Sequence, residues 1–246
     1  MLSARSAIVW VGLTLVWARP AGAGPPYLTD DPETVEAGHW ETYIFGSGQD
    51  LLGRPDGETG LDINRGVGPN LHINLVLPLA YDAAAAPSVG AGDIELAAKV
   101  RFLHQATGSA MPDVALYPRL FLPSATGGLD DGRPRLFLPL WAQKDFGPWS
   151  VFGGGGWELN PGPGNSDPWM GGVAVTRDLT KRLNLGVEIY GQSRSAFATP
   201  ASAVVNLGVT YKLAGHWSLL ASGGPGLINR QETGSTDFHL ALEAQY

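Results

Sequence analysis

Residues 238–246 read Phe-His-Leu-Ala-Leu-Glu-Ala-Gln-Tyr, and this closing stretch decides the fold. Phe238, Leu240, Leu242, Ala244 and Tyr246 alternate with His239, Ala241, Glu243 and Gln245. A β-strand sends successive side chains to opposite faces, so the stretch carries one apolar row and one largely polar row. Such a division suits the wall of a membrane barrel, with lipid outside and water inside, and a terminal aromatic residue is a mark of outer-membrane barrels. One such strand suits an antiparallel sheet with a single buried face equally well, so a soluble sandwich stays open until the other strands are read.

The same split recurs upstream. Ile94, Leu96, Ala98, Val100 and Phe102 oppose Glu95, Lys99 and Arg101; Leu183, Leu185, Val187 and Ile189 oppose Asn184, Glu188, Tyr190 and Gln192; Val205, Leu207, Val209, Tyr211 and Leu213 oppose Asn206, Thr210 and Lys212. Further strands are expected over His39–Gly46, Gly60–Val67, Leu71–Ala80, Asp113–Leu122, Arg135–Lys144, Ser150–Leu159, Trp169–Asp178 and Trp217–Gly224. The expected fold class is therefore all-β, an antiparallel transmembrane barrel of about 12 strands, an even number within the usual range, with a soluble periplasmic sandwich as the alternative.

Connector lengths strengthen this. Short ones hold Val67–Asn70, Asp145–Pro148, Asp178–Arg182 and Ala214–Gly215; long polar ones hold Ser47–Thr59, Asp82–Gly92, Pro123–Pro134, Asn160–Pro168, Ser193–Ser202 and Pro225–Asp237. Short turns at one end and long loops at the other characterise outer-membrane barrels, and an even strand count puts both termini at the short-turn, periplasmic end. Leu103–Pro112 is longer than this rule predicts. Trp149, Trp157, Trp169 and Trp217 fall near strand ends, as an interfacial girdle requires, although core tryptophans would look the same. Pro78, Pro118 and Pro139 fall inside strands, where each removes a ladder hydrogen bond; bulges near one rim are expected there, and a bend at Gly153–Gly156.

The amino terminus has Arg5, an apolar run from Ala7 to Val16 and the small-x-small pattern Ala21-Gly22-Ala23, which reads as a secretory signal peptide over residues 1–23. Beyond it no apolar run approaches the roughly 20 residues that a membrane helix needs, so any crossing must be by a closed barrel. Glycine is abundant, at 34 residues, charged residues make up 16%, and mean hydropathy is near zero, all of which favour strands and turns. No cysteine is present, which excludes disulfides and thiol chemistry. A net charge of −7 with no Lys/Arg cluster argues against nucleic acid as a partner.

Catalytic patterns are weak. His72 could share a face with Asn70 and Asn74, and His239 with Glu243, but no Gly-x-Ser-x-Gly elbow or His-x-x-x-His pair accompanies them. The glycine-rich pieces lack the Lys-Ser/Thr ending of a phosphate cradle, and Asp130-Asp131-Gly132 reads as a solvated turn rather than a calcium loop. No catalytic residue, cofactor or metal is implied. The candidate inward set, Glu95, Lys99, Arg101, Tyr117, Arg119, Glu188, Tyr190, Asn206, Lys212, His239 and Glu243, mixes signs. Such a set can line a narrow hydrated channel or pair across the lumen and fill it.

Residues 25–33, Pro-Pro-Tyr-Leu-Thr-Asp-Asp-Pro-Glu, precede Gly38-His39-Trp40-Glu41. This double motif resembles the start of the MetA-pathway of phenol degradation family, outer-membrane transporters. The resemblance implies an outer-membrane barrel that moves small, hydrophobic or aromatic compounds. Physically, residues 24–37 form a periplasmic segment in which Thr29, Asp30, Asp31, Pro32 and Glu33 either fold into the barrel mouth and pair with Arg or Lys, or lead into the first strand. Residues 38–246 would be the barrel. The expected partners are outer-membrane lipids, the barrel-assembly machinery through the final strand, and an unidentified small solute. Three functions compete: a channel or transporter, a structural or interaction barrel with a filled lumen, and a lipid-acting enzyme.

Overall fold

A strand with one apolar and one polar row needs a hydrocarbon partner on one side and a wet one on the other, and a sheet of such strands has no exposed edge only when its last strand meets its first. The computed structural model, which describes residues 25–50, 53–85, 88–106, 108–129, 132–234 and 236–246, shows this closure. The proposed signal peptide and Asp130-Asp131 lie outside the described residues.

The elements are β1 (Trp40–Asp50), β2 (Pro55–Gly68), β3 (Leu71–Asp82), β4 (Val89–Ala91), β5 (Ile94–Leu103), β6 (Asp113–Leu116), β7 (Arg119–Leu122), β8 (Arg135–Phe146), β9 (Trp149–Leu159), β10 (Trp169–Asp178), β11 (Leu183–Gln192), β12 (Ser202–Lys212), β13 (Trp217–Ile228), the short helix α1 (Arg230–Thr233) and β14 (Thr236–Gln245). β6 and β7 are halves of one wall strand, and β4 continues β5 toward the loop end, both pairing with β3, so the barrel wall has 12 antiparallel strands. Closure runs from Glu41 opposite Gln245 to Asp50 opposite Thr236. At its end the Trp40 and Tyr246 backbones exchange hydrogen bonds of 2.6 and 3.0 Å.

Differences from the sequence expectation have local causes. Ser47–Thr59 is mostly strand rather than loop, since β1 and β2 pair as far as Asp50 and Pro55. These polar residues carry no apolar row, and above the lipid band none is needed. Asp237 likewise belongs to β14 and Pro225 to β13. Pro118 and Pro139 sit side by side in mid-wall without a bulge; the register holds from Asp113 opposite Gln143 to Phe121 opposite Arg135. Here the Tyr117 N–H still donates to the Pro139 carbonyl, at 3.1 Å, while the reciprocal bond is missing because proline has no N–H. The observed register shifts lie elsewhere, at Gly66/Gly68, Arg101/Leu103 and Ala203/Val204.

Gly154 and Gly155 have φ of +150° and +153°. A Cβ on Gly154 would collide with the Leu140 carbonyl oxygen, so this wall closes only with glycine. The long connector after β5 is fastened to the turn end by Gln105, whose side chain bonds Asp145 at 2.7 and 3.1 Å.

Outward rows include Ile44, Ile73, Leu79, Val173, Ile189 and Leu240, and Leu207 is 71% exposed. Apolar surface this continuous is matched only by hydrocarbon. Exposed Trp40, Trp149, Trp217 and Tyr246 mark the turn end, with Trp169 at the loop end opposite Trp157. Among the described residues no helix is long and apolar enough to cross a membrane.

Candidate functional site: the lumen and its amino-terminal plug

Alternation puts every candidate residue on the inner wall. Glu95, Lys99 and Arg101 come from β5, Tyr117 from the joint between β6 and β7, Arg119 from β7, Glu188 and Tyr190 from β11, Asn206 and Lys212 from β12, and His239 and Glu243 from β14. Glu95, Lys99, Arg101, Tyr117, Arg119, Lys212 and His239 border an open cavity of about 1620 Å³. Glu188, Asn206 and Glu243 are fully buried, and Tyr190 packs beside Gly172.

The reason for that burial is a second tenant. Residues 25–37 do not hang below the barrel as a lead-in; they enter from the turn end and cross the lumen. Glu188 accepts hydrogen bonds from the backbone N–H groups of Leu28 (3.3 Å) and Thr29, and from Asn206 Nδ2 (2.9 Å). Lys99 Nζ lies 3.0 Å from Asp30 and 3.9 Å from Asp31. Gln143 donates to Glu33 at 3.1 Å, the Val35 N–H donates to His72 Nδ1 at 3.1 Å, and Ser222 donates to the Pro26 carbonyl. Pro32 and Thr29 are fully buried.

Sequence reasoning missed what makes room for this plug. Gly208 and Gly186 lie on inward rows against the Tyr27 ring, and Gly172 lies against Thr29. Any Cβ at these three positions would overlap the plug. Glycines at lumen-facing positions on adjacent strands were the available signal. Burial raises the pKa values of Asp31 and Glu33 above the usual carboxylate range, opposed by Lys99 and by the Gln143 hydrogen bond respectively; burial and Glu188 push the Tyr27 hydroxyl up.

Along β5 to β8 cations and rings alternate. Lys99 stands 4.7 Å from the Tyr117 ring, Arg119 makes a bidentate pair with Glu95 at 2.7 Å, and Arg135 stands 4.5 Å from Phe121 and 3.6 Å from both Asp93 and Glu158. Across the lumen Phe45, Val76, Leu220 and Ala241 form an apolar cluster that borders the same cavity. The cavity runs beside the plug, and its lining reaches from Gln49, Asp56 and Asp237 at the loop end to Asp145, Asp178 and Lys181 at the turn end.

These features define a plugged membrane β-barrel of the outer-membrane type. The chain is similar in fold to the COG4313 outer membrane channel of Pseudomonas putida F1, with a TM-score of 0.63, 15% identity, and coverage of 87% of this chain and 96% of that one. That channel represents the MetA-pathway of phenol degradation family, the same family the amino-terminal motif resembles. The NalP translocator domain of Neisseria meningitidis (TM-score 0.44, 13% identity, coverage 85% and 86%) and CdiB of Acinetobacter baumannii (0.42, 8%, 85% and 60%) are likenesses too loose to bear on function. No family model and no curated protein matches the sequence.

Proposed function

We propose that this protein is a channel of the bacterial outer membrane for small solutes, with passage along the β1–β3 wall and the amino-terminal segment as the constriction. One observation carries this: a single cavity is lined from the loop end to the turn end although the plug crosses the lumen. The outer surface supports a membrane location, and the neighbouring fold is that of an outer-membrane channel.

The apolar cluster of Phe45, Val76, Leu220 and Ala241, joined by Tyr43, favours solutes with a hydrophobic or aromatic body. A filled structural barrel is the competing function, favoured by the hydrogen bonds that fix residues 26–35. A role as a lipid-acting enzyme has no support in the inner wall: His72 is engaged by the plug backbone rather than by a nucleophile. Planar bilayers and liposome swelling decide the matter. Reproducible conductance steps are expected; their absence in both assays overturns the channel.

A further inference from the structure

The lumen is electrically lopsided. On the β5–β8 side each of Lys99, Arg119 and Arg135 is matched by carboxylates, namely Asp30 with Asp31, Glu95, and Asp93 with Glu158. Glu41 of β1 and Asp56, Glu58 and Asp62 of β2 border the cavity on the wall beyond β3, and among the described residues none of them forms an ion pair. Their hydrogen-bond donors are neutral. Asp62 accepts from Asn64 at 2.8 Å and Asn74 at 2.6 Å, Asp56 from Gln49 at 3.2 Å, and Glu41 from the Tyr43 hydroxyl at 2.7 Å and Gln245 at 3.0 Å.

A second observation points the same way. Glu243 is fully buried and shares the Gln245 amide with Glu41, yet its Oε2 has no hydrogen-bond partner. The two carboxyl groups share one neutral amide and neither forms an ion pair among the described residues; Glu41 borders the cavity, so its negative charge, when ionised, adds to that of the β2 acids. In a narrow passage with low-dielectric walls such a field concentrates counter-ions, and rings of acidic side chains are a known means of cation selection.

We propose that the passage selects small cations over anions, and that Asp56, Glu58 and Asp62 on β2 set the preference. This rests on the channel proposed above and adds the charge class of what passes. The positive residues do not reverse the sign: Lys99, Arg119 and Arg135 are paired with carboxylates, and although Arg101, Lys181, Arg182 and Lys212 also line the cavity, its lining holds thirteen Asp and Glu side chains against six of Lys and Arg, with the acids of β2 forming no ion pair among the described residues.

Reversal potentials across a KCl gradient test this, using the purified full chain in planar bilayers at pH 8. Low ionic strength is needed because at about 0.15 M salt charges are screened beyond roughly 8 Å. The wild type is expected to pass K+ several-fold better than Cl−. The double variant Glu58→Gln/Asp62→Asn should bring the ratio toward unity, and Glu232→Gln in the loop helix α1 should leave it unchanged. Asp62→Asn keeps the size of the side chain that Asn64 and Asn74 contact, and Glu58→Gln alone tests a residue with no ion-pair partner, so loss of folding cannot imitate the result. Equal permeability or Cl− preference in the wild type, or an undiminished K+ preference in the double variant, overturns cation selection while leaving a channel. Absence of any conductance overturns both.

Discussion

Glu188→Ala is expected to release the plug. The carboxylate is fully buried at mid-wall and is the acceptor for two consecutive backbone N–H groups, those of Leu28 and Thr29. A hydrogen bond to a charged acceptor contributes about 1.5–3 kcal/mol, so losing two gives a nominal 3–6 kcal/mol; water can enter the vacated space and hydrate the freed groups, which leaves about 3 kcal/mol. At about 1.4 kcal/mol per tenfold change, the docked-to-released ratio should fall roughly 100-fold. Two assays report it. Single-channel recordings should show a larger conductance state that the wild type visits rarely. A glutamyl endopeptidase should cleave faster after Glu33, which docking holds against Gln143. Glu188→Gln keeps one acceptor oxygen and should fall between the two. Wild-type conductance and wild-type cleavage in a Glu188→Ala barrel that still runs as a heat-modifiable band would refute the anchoring role of Glu188.

Other outcomes follow from the same contacts. Gly154→Val should abolish barrel formation, because the new side chain meets the Leu140 carbonyl on the neighbouring strand and the φ of +150° strains any L residue; loss of the heat-modifiable band reads this out. Docking should also depend on pH. The docked segment holds the Asp31 and Glu33 pKa values above those of a released chain, facing Lys99, Arg101 and Asp145, so it binds protons that the released segment does not. This contribution is fully present below the ordinary carboxylate pKa of about 4 and is lost as pH rises through the raised values, so open probability should climb from mildly acidic to alkaline pH. An open probability that falls over that range would contradict it. Deleting Tyr246 removes the two backbone bonds to Trp40 that finish the closing seam, and the assembled fraction in purified outer membranes should drop.

The twelve wall strands were legible in the sequence because their signal is local: period-two alternation needs only the identity of neighbours, and lipid outside enforces it residue by residue. Glu95, Lys99 and Arg101 could thus be placed inward from the run Ile94–Phe102 alone. Tyr43 and Phe45 looked like a blemish in β1, since they share a face with Glu41. In the barrel that face is the lumen, where Phe45 packs with Val76, Leu220 and Ala241 from three other strands. The ends of β1 and β2 were not legible, since beyond the lipid band no apolar row marks the pairing that sustains them.

What the sequence by itself determined was the wall: its strand number, its closing partner and the face each residue presents, all consequences of chain periodicity. Only the tertiary structure decided what fills the wall. Residues 25–37 have no periodicity of their own, and their four carboxylates gave no hint of which side chains would receive them. Glu188, Asn206, Lys99, His72 and Gln143 come from five different strands and converge only when the sheet curls shut. The acidic row of β2 likewise acquires its meaning from what stands across the lumen, a juxtaposition that curvature creates and sequence spacing does not record.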